Sequence, residues 1–473
     1  MSAPLYEALL DYVNNDIMPF HMPGHKQGRV LEKFYLNNLA KFDLTEIPGL
    51  DNLHEPKGPI LEAQRLAAKA FGVKESFFLV NGTTSGIYAA MFAVLNPGDK
   101  ILMTRNSHKS VYNGLVLTGA EPVYINPEVD YENMIPMGID PYILEQYLKK
   151  DNTIKAVIIT YPNYYGFCSD IVNISDIVHK YNKILIVDEA HGAHFIFSKK
   201  LPVSSIEAKA DIVIQSIHKT LPSFTQSSIL HLNSMRVDVN RLKYALTLFQ
   251  STSPSYILMA SLDLARDYLE KDGKRKLEEA VKLSDYARNK LNNIEGIHCL
   301  GEEIKNKYGI TDFDKTKLTI SVKQLGLTGP EAEDFLRNEF KIQIEMADLN
   351  NILAMVTLAD DKNHIDYLIK GIKALTAIKK PPLKEQFKFV YPDTPQILLT
   401  PFDAVRRKRR VLPIDDAINL ISADFLIPYP PGIPLICPGE CIKKDMVNYI
   451  KLLYNKGIKV LGLKNNNIMV CEK

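Results

Sequence analysis

The sequence predicts an α/β fold around a mostly parallel sheet, and three observations carry that prediction. Between residues 75 and 232 short apolar runs recur: SFFLV (76–80), KILMT (100–104), EPVYI (121–125), KAVIIT (155–160), KILIVDEA (183–190), DIVIQS (211–216) and SSILHL (227–232). Several are apolar almost throughout, as strands covered on both faces are. Helical patterns lie between most of them, the βαβα succession of a parallel sheet. Ligands of such sheets bind at the carboxyl ends of strands, and the main polar motifs of this chain fall there.

The later elements follow in order. A long helical stretch is expected over about 254–295, and a mixed α/β segment continues to about 378. KKPPLKEQ (379–386) has the doubled proline of a linker. The expected organisation is an N-terminal arm plus large α/β domain over 1–253, a small α/β domain over 254–378 and a C-terminal α+β domain over 379–473. A chain of 473 residues has room for roughly two to four domains.

Composition narrows the function. Hydrophobic residues make up 46% and charged residues 24%, so the chain can bury a large core as an ordinary globular protein does. A net charge of +2 provides no global basic field for nucleic acid. The five cysteines (Cys168, Cys299, Cys437, Cys441, Cys471) are scattered, with neither a disulfide framework nor paired zinc-ligand spacing. A reducing, cytoplasmic setting is expected. No apolar run reaches the ~18–20 residues of a membrane span. The acidic, amphipathic start MSAPLYEALLDYVNND does not resemble a secretory signal.

The first chemical motif is QSIHKTLPSFTQSS (215–228). A strand ends at Ser216, and His218 and Lys219 follow among hydroxyls. A lysine sheltered there loses its proton more easily, because desolvation disfavours the ammonium, and becomes a nucleophile and base. A lone HK dipeptide would be an exposed loop lysine; the other motifs change that. VDEAHGAH (187–194) closes an apolar strand on Asp188, where a carboxylate needs a partner. A protonated pyridine nitrogen is such a partner, and His191 follows three residues on. Neither the HExxH spacing of a metal site nor a GxSxG elbow is present.

LVNGTTSGIYAAM (79–91) runs from a strand into hydroxyls that open a helix. Thr83, Thr84 and Ser85 with free backbone N–H groups make an anion site; simple N-capping is the plain alternative. TRNSHKSVYNGL (104–115) puts His108 at the next helix start, where it caps the helix or stacks on a planar ring. FQSTSPSY (249–256) is a further hydroxyl-rich anion candidate, and FHMPGHKQG (20–28) reads as a functional loop whose spacing fixes no chemistry. Together these strand ends supply a phosphate cup, a ring stacker, a pyridinium acid and a lysine. That is the pattern of a pyridoxal 5′-phosphate (PLP) site.

The segments HMPGHKQG, NGTTSG, RNSHKS, VDEAHGAH, SIHKTLPSFTQ, STSPSY and PYPPGIPLICPGE, between residues 20 and 440, resemble the fold-type-I ornithine/lysine/arginine decarboxylases. They are most similar to the shorter bacterial branch, since no receiver-like domain precedes HMPGHKQG. The resemblance implies an aspartate-aminotransferase-like PLP fold and decarboxylation of a basic amino acid, arginine to agmatine first, lysine or ornithine next. It implies that Lys219 holds the cofactor covalently, Asp188 pairs with the ring nitrogen, His108 stacks on the ring and His191 lies near the reacting bonds. Thr83, Thr84, Ser85, Ser216 and His218 would surround the phosphate, with Ser251 and Thr252 reaching the partner subunit's site in at least a homodimer. Glu440 is the candidate for the substrate's distal cation.

Two features depart from the family pattern or stand outside it. NLISAD (419–424) has Asn419 and Leu420 where the family reads GRISAE-like, and Arg406–Arg410 form a basic run expected to be a solvated face. An aminotransferase would keep Lys219 and Asp188 but needs an arginine for the substrate carboxylate, and none is identifiable.

Overall fold

The computed structural model describes residues 3–378, 380, 394–429 and 432–472. Its centre is a seven-stranded sheet of β1 (Glu75–Leu79), β2 (Lys100–Thr104), β3 (Glu121–Ile125), β4 (Ile154–Thr160), β5 (Ile184–Asp188), β6 (Ile212–Gln215) and β7 (Ser228–Leu232). The spatial order is β1-β7-β6-β5-β4-β2-β3. Only β7 runs antiparallel to its neighbours; the other pairings are parallel. The mostly parallel sheet read from the apolar runs is therefore the sheet the chain builds.

Two-sided burial explains those runs. Side chains alternate between the faces of a strand. On β4, Ala156 and Ile158 enter one core while Val157 and Ile159 enter the other. On β6, Ile212 and Ile214 face one way and Val213 the other. Both faces are apolar, so no alternation survives in the sequence.

Each functional motif begins where a strand stops. Helix α1 (Gly82–Val94) follows β1, α2 (Lys109–Thr118) follows β2, and the single turn α3 (Ile217–Thr220) follows β6. The helical stretch expected over 254–295 is α4 (Tyr256–Tyr268), a wide π turn (Leu269–Gly273) and α5 (Lys274–Leu291). Met259, Leu262 and Leu277 pack into a core of the large sheet, whereas Ala287 and Leu291 pack into that of a smaller one. This helical arm thus ties the two together.

The smaller sheet contains β8 (His298–Cys299), β9 (Lys317–Ser321), β10 (Met346–Ala347) and β11 (Asn351–Met355) in the order β8-β9-β11-β10, all antiparallel. Near the N-terminus, Met18–Phe20 pairs in parallel with Ile342–Ile344, and Phe20 enters the core of the smaller sheet. FHMPGHKQG is thereby anchored at its start.

The C-terminal part is α+β: helix α6 (Lys444–Asn455) with two short antiparallel pairs, Arg409–Pro413 with Asn467–Cys471 and Ile427–Tyr429 with Lys459–Leu461. Of the linker expected at 379–386 only Lys380 is described; the rest lies outside the described residues, as do Pro430 and Pro431 of the PYPPG motif. Arg406–Arg410 are exposed, as a solvated face should be. No described helix is long and apolar enough to cross a membrane.

Candidate active site

The carboxyl ends of β1, β2, β5 and β6 open onto one cavity of about 620 Å³. Thr83, Thr84, His108, Asp188, His191, Ser216, His218 and Lys219 all line it. Glu333, Glu345 and Met346 close it from the side of the smaller sheet, with Tyr429 and Ile433 from the C-terminal part. Motifs as far apart in the chain as Thr83 and Lys219 thus meet because parallel strands end together.

Lys219 sits in the single turn after β6, and its Nζ lies 3.0 Å from His191 Nε2. Burial pulls its pKa below that of an ordinary lysine, against the opposing charges of Asp188 and Glu345. A larger fraction is therefore uncharged and nucleophilic near neutral pH. Asp188, the last residue of β5, is buried, and its Oδ1 accepts from Ala190 N at 3.2 Å. Burial pushes its pKa up, while Lys219 and the Ala190 N–H pull it down.

One end of the cavity is a helix start. Gly82, Thr83 and Thr84 open α1, whose first N–H groups have no partner within the helix. Gly82 adopts φ +74, and a Cβ there would face the cavity 3.8 Å from Gln226 O. Thr83 Oγ1 lies 2.5 Å from Ser216 Oγ and donates to Ser228 Oγ at 3.1 Å. His218 Nδ1 donates to Ser227 O at 2.8 Å, leaving Nε2 free of that bond. Of the two things its position allowed, His108 is seen to do the first. It caps α2, accepting from Ser110 N at 3.2 Å, and its ring is open to the cavity. Burial, with Lys219 and Lys109 nearby, lowers its pKa to about 4, so it presents a neutral ring.

Three residues of the wall, Met22, Tyr164 and Glu345, and one behind it, Lys317, were not legible in sequence. Tyr164 packs its ring 4.7 Å from that of His191 and donates its hydroxyl to Glu345 Oε1 at 2.5 Å. Met22 N donates to Glu345 Oε2 at 2.8 Å. Lys317, from β9, donates to Tyr164 O at 2.6 Å and lies 3.0 Å from His191 Nδ1. The FHMPGHKQG loop now has a reason. Gly24 N donates to His218 O at 2.8 Å, and a Cβ on Gly24 would sit 2.5 Å from the carbonyl carbon of Thr220. Only glycine lets this loop lie against the turn bearing Lys219.

Three expectations need correction or relocation. Ser85 is not on the cavity wall: it is buried within α1 and its hydroxyl donates to Gly82 O at 2.8 Å. Ser251 and Thr252 are exposed and do not line this chain's cavity; Ser251 N donates to Asn81 Oδ1 at 3.1 Å, beside the start of α1. Glu440 does not face the cavity either. It is buried, its Oε2 accepting from Arg105 Nη2 at 2.8 Å and from Cys437 N at 2.7 Å. Arg105 already neutralises it, which removes it from contact with a substrate cation.

Glu440 instead clamps the C-terminal part to the RNSHKS loop. Removing one partner of a buried pair strands the other charge. Glu440→Ala is expected to lower unfolding stability by about 3–5 kcal/mol without changing which amino acid is consumed. Denaturant unfolding and product analysis check both halves.

The donors present fit PLP. Asp188 is a buried carboxylate held by one backbone N–H and suited to a ring N–H. Lys219 is a half-buried amine hydrogen-bonded to a neutral imidazole. The open helix start supplies the anion cup.

Comparison with known proteins agrees. A family model described as Orn/Lys/Arg decarboxylase, major domain, matches residues 3–364, and its C-terminal domain matches 384–466. An arginine decarboxylase of Bacillus subtilis (strain 168) is 40% identical over 471 residues, spanning 98% of this chain and 96% of that protein. One of Bacillus anthracis is 39% identical over 465 residues, spanning 97% and 94%. The solved structure of the E. coli constitutive lysine decarboxylase superposes with a TM-score of 0.78 at 20% identity, over 100% of this chain and 82% of that one. With the sheet, the strand-end cavity and both family models in agreement, the chain belongs to the Orn/Lys/Arg decarboxylase family.

Proposed function

We propose that the chain is a PLP-dependent decarboxylase that converts arginine to agmatine and CO₂, a step toward polyamines. The observation that carries the reading is the meeting of Lys219, Asp188 and His108 with the α1 start in one cavity. The choice of arginine is supported by the two relatives named arginine decarboxylase over nearly the whole chain. PLP, when bound, supplies the electron sink for the carbanion left by CO₂.

The protein's share is orientation and charge. Lys219 would hold the cofactor through its amine. Asp188 keeps the ring nitrogen protonated. His108 would lie against the ring as a neutral imidazole, and Thr83, Thr84, Ser216, His218 and the α1 N–H groups would hold the phosphate. His191 stands at hydrogen-bond distance from Lys219 Nζ and moves or holds a proton there. Tyr164, Met346, Tyr429 and Ile433 narrow the access of water. Ser251 and Thr252, exposed on this chain, complete the phosphate site of a second copy in a homodimer.

Glu345, and not Glu440, is the carboxylate placed to meet the substrate's distal cation. It lies on the cavity wall, oriented by Tyr164 and Met22, with Glu333 also on that wall. A charge-assisted hydrogen bond of this kind is worth about 1.5–3 kcal/mol, so Glu345→Gln is expected to raise KM for arginine about 10- to 100-fold with a smaller change in kcat. Steady-state kinetics on the variant check it; an unchanged KM would remove Glu345 from substrate binding. The reading as a whole is tested by incubating the PLP-loaded protein with arginine, lysine and ornithine and identifying the amine. Agmatine is expected. Cadaverine or putrescine in its place would reassign the substrate.

A further inference from the structure

We propose that Lys317 is a positioning residue: its ammonium donates to Nδ1 of His191 and so keeps the imidazole proton on Nε2, aimed at the Lys219 nitrogen. The inference rests on the reading of Lys219 as the reactive amine. It follows from counting protons at three atoms. His191 is buried, with Nε2 3.0 Å from Lys219 Nζ and Nδ1 3.0 Å from Lys317 Nζ. Burial and both lysines hold its pKa well below the usual histidine range, so the ring is neutral. A neutral imidazole has one N–H and one lone pair. One lysine must therefore donate to the ring, and the other must receive from it as an uncharged amine.

The surroundings decide which is which. Lys317 Nζ also donates to Tyr164 O at 2.6 Å and lies 5.6 Å from the centre of the Tyr164 ring, both of which suit a cation. Asp314 and Glu345 favour its charge, Lys219 opposes it, and Cys168 lies near. Asp314 also meets His194 at 3.2 Å. Burial lowers Lys317 to about 8, which leaves it protonated at neutral pH. Around Lys219 stand Asp188 and Glu345, which favour its charge, and the imidazoles of His108, His191 and His218, all lowered by burial. Lys317 Nζ has a carbonyl oxygen and a ring face to hold its charge, whereas Lys219 Nζ, among the described residues, has no hydrogen-bond partner besides His191 Nε2, and Lys219 is therefore the receiver.

Local packing reserves the place. A Cβ on Gly166 would sit 3.0 Å from Cδ and 3.2 Å from Cβ of Lys317, so the glycine leaves room for the lysine stem. Lys317 is not on the cavity wall. It acts from behind His191 and never needs to touch substrate.

The test reads the amine itself in cofactor-free protein. Competitive labelling of Lys219 with an amine-reactive reagent across pH, quantified by peptide mass spectrometry, reports its apparent pKa. In Lys317→Met the cation is gone and the imidazole is free to turn its lone pair to Lys219. The apparent pKa is expected to rise by about one pH unit. In a His191→Phe background the same Lys317 change is expected to move it much less, because the relay is absent. No rise, or an equal rise in both backgrounds, overturns the proposal. Imidazole nitrogen chemical shifts of ¹⁵N-histidine protein, with His191 identified by its loss in His191→Phe, test the tautomer without any change at Lys317. A proton on Nε2 is expected; a proton on Nδ1 overturns the proposal even where Lys317→Met fails to fold. None of these readouts uses arginine, so absence of decarboxylation would defeat the functional reading and leave this one to be judged separately.

Discussion

Lys219→Ala is expected to abolish decarboxylation and to remove the visible absorbance of protein-bound PLP. Two losses coincide. The covalent attachment disappears, and so does an amine placed to transfer protons, a contribution that alone is worth about 10²–10⁴-fold. Folding should not suffer. Lys219 is a half-buried amine hydrogen-bonded to a neutral imidazole, and removing a polar group that is costly to desolvate need not destabilise. Absorbance spectra and turnover check the loss; an unfolding midpoint close to that of the unmutated protein separates chemistry from stability. Retained turnover would show that another residue is the reactive amine.

Asp188→Asn is expected to cost turnover heavily while leaving the fold intact. The side chain keeps its size and can still accept from Ala190 N. What it loses is the negative charge. Removing one preorganised electrostatic partner commonly costs about 10²–10³-fold in kcat, and a carboxylate aimed at a ring cation belongs at the upper end. The stability effect has the opposite sign. Burial raises the pKa of Asp188, so an uncharged amide relieves a buried charge in the cofactor-free protein. The unfolding midpoint without PLP is therefore expected to stay or rise as kcat falls. Parallel kinetic and thermal measurements test this divergence; a fall in both would mean that Asp188 is chiefly structural.

The sequence exposed the half of the site that strand ends carry. A strand covered on both faces is an unbroken apolar run, and the first polar residues beyond it stand out. Thr83, His108, Asp188, Ser216 and Lys219 were found that way, and their order along parallel strands told that they converge. Side chains contributed across the cavity leave no such mark. Glu345 follows IQI in an alternating segment, where a polar residue looks like solvent exposure. Lys317 opens a strand and reads as an edge charge. Their places arise from contacts far apart in chain, Glu345 with Tyr164 across 181 positions and with Met22 across 323, and Lys317 with His191 across 126.

Glu440 shows the converse error. Its motif is part of the family resemblance, and a carboxylate near the site suggested a cation of the substrate. The cation it meets is Arg105, 335 positions earlier and within the same loop as His108. Ser85 was grouped with its neighbours on α1, but helical rotation turns it from Thr84 and into its own first turn.

The central claim is that this cavity removes the carboxyl group of a basic amino acid. The most direct measurement follows carboxyl-labelled arginine incubated with PLP-loaded protein, reading labelled CO₂ against agmatine. Equal amounts of the two, absent with Lys219→Ala, are the expected result. Label that stays with the amino acid, from arginine, lysine and ornithine alike, would contradict the account.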